Sequence, residues 1–361
     1  MTGKARAIVC GTSFGRFYLH ALASHPDVEL TGVLSTGSAA SKAQAARFGV
    51  AHYTSPGELP EGIELACVVV RAGVSGGPGA DIACALLERG IHVLQEHPLH
   101  PAELAQCLRT AHRHRVRYDV NAFYPFVSPI ARFQQAAALL FQQTPPLFID
   151  AMCGGQVLYP LLDVAARAVG GLRPAALRLV EAAPHGPYRN LVGEIGGVPA
   201  TLRVQNQIHP ADADNHALLL HRLTIGCESG ILALADTHGP VIWSPRLHTH
   251  RDATHRLVLQ GPGTERLDLP SSEVLPDTAP GSFRDVFDRT WPEAIGRAVS
   301  DFVAGWSDPA RAQRAAQWTT GVAGFWHQVS TVLGPPDLIY PETPRSLRLG
   351  EFLPEVAEAV R

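Results

Sequence analysis

The sequence predicts an α/β protein: a doubly wound parallel sheet at the N-terminal end, then an α+β unit with an open, largely antiparallel sheet. Three observations carry this. From Ala7 to Asn121 strand-like and helix-like segments alternate, and βαβ repetition is satisfied by a parallel sheet. Beyond Phe123 strand signals follow one another with few helices between them, the mark of antiparallel pairing. The 361 residues also exceed what one hydrophobic core usually organises, so two domains are expected, 1–122 and 123–361.

In the first unit, strand-like Ala7–Cys10 leads through Gly11-Thr12-Ser13-Phe14-Gly15 into a helix over Arg16–Ser24. Val28–Leu34 follows, then Ser38, whose hydroxyl suits an N-cap, opens an Ala-rich helix to Phe48. Leu65–Val70 is a continuous apolar run, as a strand buried on both faces requires. Gly79–Arg89 reads as helix stopped by Gly90, Ile91–Gln95 as strand, Pro101–His114 as helix and Arg117–Asn121 as the last strand. In the second unit, helices are expected over Ile130–Gln142, Leu158–Val169, Pro292–Gly305 and Pro309–Leu333. Strands are expected over Leu147–Cys153, Leu177–Ala182, Leu191–Ile195, Ala200–Ile208, Leu218–Cys227, Gly230–Ala235, Val241–Trp243 and Arg256–Gln260.

Composition excludes several classes. Apolar residues at 46% and charged residues at 17% exclude disorder. Thirty basic against 33 acidic residues, without a basic run, argue against nucleic-acid binding. No apolar run approaches the roughly 20 residues of a membrane span. Met1-Thr2-Gly3-Lys4 runs straight into a strand rather than a signal peptide, and six scattered cysteines without a CxxC fit reduced thiols, so a cytoplasmic location is expected. The pairs His112-x-His114 and His248-x-His250 lack a third ligand at sensible spacing, so no metal site is expected.

The turn Gly11, Thr12, Ser13, Phe14, Gly15 sits where a Rossmann domain receives a pyrophosphate on backbone N–H groups and a helix N-terminus. Against G-x-G-x-x-G it is degenerate, with Ser13 and Arg16 at the second and third glycine positions; a plain loop is the other reading. After the second strand, folds that prefer NAD place an acid. Here Ser35, Thr36, Gly37, Ser38, Ser41 and Lys42 offer hydroxyls, N–H groups and a cation, which suits the 2′-phosphate of NADP. An ordinary Ser cap with a solvated Lys is the alternative. Arg71, after the central strand, is a candidate cofactor contact or a surface residue, and Asn121 either meets the nicotinamide ribose or ends its strand.

Gln95-Glu96-His97-Pro98 ends a strand at the carboxyl edge of the sheet, where ligands of such folds bind. The motif and layout resemble the Gfo/Idh/MocA oxidoreductase superfamily, which carries Glu-Lys-Pro there and lays nicotinamide against it. Two departures matter: His97 replaces the lysine, and Gly154-Gly155-Gln156-Val157-Leu158-Tyr159-Pro160-Leu161-Leu162-Asp163-Val164 has Pro160 and Val164 where sugar-oxidising members carry Asp and His. Gly11-Thr12-x-Phe14-Gly15-x-x-Tyr18-Leu19, Val68-Val69-Val70-Arg71, Gly90-Ile91-His92-Val93-x-Gln95-Glu96-His97-Pro98-x-His100, Asn121-x-Phe123-Tyr124-Pro125 and Gln156–Asp163 resemble one branch, the thiazolinyl imide reductases of siderophore assembly. That resemblance implies homodimers that use NADPH to reduce a thiazoline C=N to a thiazolidine. It also implies a substrate tethered by thioester to a peptide-synthetase carrier domain, and such a substrate needs a cleft open to the surface, lined by the second domain's sheet and the apolar Val157–Leu162 segment.

Imine reduction leaves negative charge on nitrogen, so an acid is required. His97 and Tyr124 both match the donors proposed for that branch, and Tyr124, at the domain junction, is the preferred one. The alternatives are another NADP-dependent oxidoreductase of the superfamily or a non-catalytic NADP-binding regulator.

Overall fold

The computed structural model describes residues 3–72, 76–180 and 186–353. Six parallel strands form the first sheet: β1 (Ala5–Cys10), β2 (Val28–Leu34), β3 (Ala51–Tyr53), β4 (Leu65–Val68), β5 (His92–Glu96) and β6 (Tyr118–Asn121), in spatial order 3-2-1-4-5-6. Helices α1 (Gly15–Ala23), α2 (Ala39–Arg47), α3 (Gly79–Glu88) and α4 (Pro101–His114) connect them. Ala7–Cys10 and Leu65–Val68 are fully buried, so the two central strands form the core of this layer. Ser38 caps α2 by accepting from the Ser41 N–H at 3.2 Å.

β3 was not expected. Three residues, two of them polar, carry too little apolar signal, yet they pair with β2 at the sheet edge. Gly32 makes this possible, because a Cβ there would lie 2.7 Å from the Tyr53 ring.

The second unit contains α5 (Ser128–Leu140), β7 (Pro146–Gly154), α6 (Leu158–Ala168), β8 (Ala175–Val180), β9 (Tyr188–Ile195), β10 (Val198–Gln205), β11 (Gln207–Ile208), β12 (His221–Cys227), β13 (Gly230–Leu234), β14 (Val241–Pro245) and β15 (Glu273–Val274). Its eight-stranded sheet has the order 15-14-13-12-7-10-9-8, with the β7–β10 pair parallel and the other pairs antiparallel. Alternation decides its faces: Ile149, Ala151 and Cys153 of β7 point to the helices, whereas Phe148 and Asp150 face outward.

Residues 181 and 182 of the strand expected over Leu177–Ala182 lie outside the described residues. Arg256–Gln260 is not a strand. It forms one isolated bridge, Arg251 to Leu257, and Leu257 and Leu259 stay 51% and 63% exposed.

The chain then returns to the first unit. α7 (Phe283–Asp285) passes through a π-turn into α8 (Trp291–Ala304), which packs on α1; α9 (Pro309–Leu333) packs on α4, β6 and α6, and β16 (Asp337–Leu338) pairs with β11. Polar bonds lock this seam. Asp163 accepts from Trp318 Nε1 at 2.6 Å and Arg167 Nε at 2.8 Å, and Asp119 accepts from the Thr319 hydroxyl at 2.9 Å. Among the described residues no helix is long and apolar enough to cross a membrane.

His92 lies under the same seam, stacked on Trp306 at 4.1 Å, with its Nδ1 accepting the Arg117 N–H at 2.8 Å. Burial, followed by the Arg117 charge, lowers its pKa to about 4 from an ordinary 6.5. The unfolded chain therefore binds more protons than the folded one between those values, and stability falls as pH drops from 6.5 towards 4. Denaturant titrations at pH 7 and pH 5 should show this loss, and His92→Gln should make it shallower.

Candidate active site

At the first βα turn Gly11 has φ +86°, and a Cβ there would lie 2.5 Å from the Val69 carbonyl oxygen, so no other residue fits without displacing backbone. The backbone N–H groups of residues 12–16 have no acceptor among the described residues. They form the end of a helix with free donors, which is what a pyrophosphate requires. Thr12 and Ser13 are accessible. The Phe14 ring turns inward, with centroids 5.2, 5.6 and 5.6 Å from Phe17, Phe123 and Trp291, so the part of this residue left to a cofactor is its backbone N–H. The ring fastens the turn to the seam.

Past β2, Thr36 and Lys42 are exposed and Ser35 accepts the Gly37 N–H at 3.3 Å. The Lys42 side chain lies over Gly37, its Cε 3.9 Å from where a Cβ would be. Ser41 does not belong to this surface. It is 1% exposed, and its hydroxyl donates to the Ser38 carbonyl at 2.9 Å. His52 of β3 does belong, with Nε2 2.9 Å from the Ser35 hydroxyl. Sequence reasoning missed it because the strand that presents it was missed. Arg71 is exposed without a partner among the described residues, and its carbonyl accepts the Gly79 N–H at 2.8 Å.

The ends of β5 and β6 carry the densest polar network. Glu96 accepts from the Tyr18 phenol through Oε2, and its Oε1 lies 3.2 Å from His97 Nδ1. That Nδ1 is also 3.0 Å from the Asn121 carbonyl, so two groups that accept face it and together favour a proton there. Asn121 is 2% exposed; its Nδ2 donates to the Tyr18 oxygen at 2.6 Å and its Oδ1 accepts the Phe123 N–H at 2.8 Å. Its amide therefore faces the protein interior rather than an open ribose site.

His97 stacks on Tyr159 at 5.4 Å and meets Tyr124 edge-on at 6.4 Å. Tyr124 in turn packs against His221 at 4.5 Å. Its phenol has no hydrogen-bond partner among the described residues, and burial, then the Glu96 charge, raises its pKa, so it stays protonated. His221 is buried; Nε2 donates to the Val157 carbonyl at 3.1 Å, and Nδ1 faces the Thr237 hydroxyl at 3.1 Å. Burial lowers its pKa to about 3, so the ring is a neutral prop for Tyr124. A lone histidine in a strand gave no signal of this role. The Val157–Leu162 segment does not line an open cleft: Val157 to Leu162 are buried, and α6 is packed between α5 and α9. Two of these residues reach the site, Tyr159 through His97 and the Val157 carbonyl through His221.

Residues 5–122 match the family model described as an oxidoreductase family with an NAD-binding Rossmann fold, GFO_IDH_MocA. Residues 144–244 match the C-terminal domain of Irp3-like thiazolinyl imine reductases. The N-terminal domain belongs to the Gfo/Idh/MocA oxidoreductase family. No curated protein sequence matches it. A 3-ketoreductase from Actinomadura kijaniata, in complex with NADP and TDP-benzene, superposes with TM-score 0.65 at 17% identity over 94% of this chain and 100% of that one. A putative myo-inositol dehydrogenase from Sinorhizobium meliloti 1021 gives TM-score 0.65 at 13% identity over 91% and 98%. A UDP-N-acetylglucosamine 3-dehydrogenase from Acidithiobacillus ferrooxidans gives 0.65 at 16% over 91% and 96%. At such identities these likenesses establish the fold. The family member is thus an NAD(P)-dependent oxidoreductase.

The glycine turn is directly testable. Gly11→Val forces a side chain into the Val69 carbonyl and strains a positive φ, so nucleotide affinity should drop by about tenfold or more in a fluorescence titration, an effect of about 1.4 kcal/mol. Gly49→Ala, with open space around its Cβ but also φ +66°, controls for backbone strain alone.

Proposed function

We propose that the protein is an NADPH-dependent thiazolinyl imine reductase, converting a thiazoline C=N to a thiazolidine in a siderophore precursor held by thioester on a carrier domain. The observation that carries this reading is the match of residues 144–244 to the Irp3-like C-terminal domain. The chemistry of the site supports it. Sugar oxidation needs a base, and the positions that would supply one, Pro160 and Val164, are apolar and buried inside α6. What remains beside Glu96 and His97 is a protonated phenol. That suits a reaction that consumes a proton.

A bound reduced nicotinamide would supply the hydride, and the balance is one hydride to carbon and one proton to nitrogen. The free N–H groups of residues 12–16 would hold its pyrophosphate, and Thr36, Lys42 and His52 would serve a 2′-phosphate. Tyr124 donates the proton. Its raised pKa does not prevent this, because the nitrogen that has just accepted electron density is a far stronger base than a phenolate. His221 fixes the Tyr124 ring from behind, and His97 is the supporting or alternative donor, a role it can fill through Nε2 only as the doubly protonated imidazolium. Dimerisation through the outward sheet face, where Phe148 and Ile231 are 40% and 41% exposed, completes the proposal.

Two measurements test it. Tyr124→Phe should slow single-turnover hydride transfer to a tethered aryl-thiazoline by about 10²-fold or more, with NADPH affinity unchanged; a normal rate in this variant with collapse in His97→Asn reverses the donor assignment. NADPH should bind at least about tenfold tighter than NADH, and Thr36→Asp should narrow that gap because its carboxylate repels the 2′-phosphate; equal dissociation constants in the unaltered protein remove the argument.

A further inference from the structure

Tyr18 is a fully buried residue of α1, and neither the glycine turn nor the proposed proton transfer accounts for its hydroxyl. As a packing element the ring alone would serve, and a buried hydroxyl is costly unless it is bonded. Here it has two partners. Burial and the adjacent Glu96 charge push its pKa well above the ordinary tyrosine value, so the proton stays on the phenol and the direction of each bond is fixed. Tyr18 donates to Glu96 Oε2 and accepts from Asn121 Nδ2 at 2.6 Å. The Asn121 amide cannot turn over to reverse this, because its Oδ1 is held by the Phe123 N–H at 2.8 Å.

The carboxylate so oriented places Oε1 3.2 Å from His97 Nδ1, the nitrogen that also faces the Asn121 carbonyl at 3.0 Å. Residues from α1, β5 and β6 thus converge on one ring nitrogen of one histidine. The opposite nitrogen, Nε2, has no partner among the described residues, and the ring that carries it meets Tyr124 edge-on.

We propose that Tyr18 is a positioning residue that acts through Glu96 to hold His97 as the Nδ1–H tautomer, leaving Nε2 unprotonated on the ring that meets Tyr124. The kinetic consequence rests on the reductase reading above; the tautomer does not.

The experiment compares the full-length protein with Tyr18→Phe and Glu96→Gln by long-range ¹H–¹⁵N NMR of His97, its signal assigned through His97→Asn. The unaltered protein should show neutral His97 as the Nδ1–H tautomer. Tyr18→Phe frees the carboxylate to rotate and should introduce the Nε2–H form. Glu96→Gln, with Tyr18 still donating to its amide oxygen, turns an amide N–H towards Nδ1 and should favour Nε2–H as well. In both variants single-turnover hydride transfer should slow about tenfold or more, while NADPH dissociation constants stay within a factor of about two, the tolerance set for an unperturbed site. Persistence of the Nδ1–H tautomer in both variants overturns the proposal, as does a loss of NADPH affinity and melting temperature without a tautomer change. If Tyr18→Phe fails to fold, the Glu96→Gln spectrum decides alone. If the unaltered protein leaves the thiazoline untouched, the reductase reading falls and the NMR comparison still decides the role of Tyr18.

Discussion

Half-burying the Glu96 carboxylate at the ends of β5 and β6 is the constraint around which this site is arranged. A charge with 14% of its side-chain surface exposed must be met by donors, or ionisation becomes costly. The donors come from other elements: Tyr18 from α1, and His97 next to it in sequence, with Asn121 of β6 holding both. The same charge contributes to two chemical properties. With the Asn121 carbonyl it favours a proton on His97 Nδ1, and it adds to the burial that keeps the Tyr124 phenol from ionising. The fold contributes by placing α1 so that its N-terminus forms the nucleotide turn while its second turn reaches the carboxylate.

The second unit completes the site from the opposite side. His221 of β12 and Tyr159 of α6 pack on the rings of Tyr124 and His97, and both are fixed by contacts unrelated to chemistry: a bond to the Val157 carbonyl in one case, burial between helices in the other. The return of α8 and α9 onto α1, α4 and β6 ties the two sheets together through Asp163, Trp318, Asp119 and Thr319.

Much of this was legible in the sequence where a local rule had a single reading. Pro101–His114 and Pro309–Leu333 have the expected bounds because a proline at the first helical turn and a glycine or a chain reversal at the end leave little freedom. The Glu96-His97 corner and Tyr124 were legible because their position at strand ends is set by the βαβ alternation. Tyr18 was visible as part of a motif, but its role was not, since an aromatic on the inner face of a helix reads as core until its hydroxyl partners are known. His52 and His221 were missed because each depends on pairing partners distant in sequence. The direction of the Phe14 ring and the burial of Ser41 were also beyond reach, being decided by tertiary packing rather than by the turn and cap that contain them.

The account stands or falls on hydride delivery to an imine carbon beside the Glu96–His97 corner. The most direct measurement offers NADPH carrying deuterium at the transferable C4 position, together with a carrier-tethered aryl-thiazoline thioester, and locates the label in the product by mass spectrometry and NMR. The account predicts one deuterium on the former C=N carbon of a thiazolidine and a solvent-derived proton on its nitrogen. Recovery of unchanged thiazoline with no NADPH consumed, under conditions where the nucleotide is bound, would contradict it.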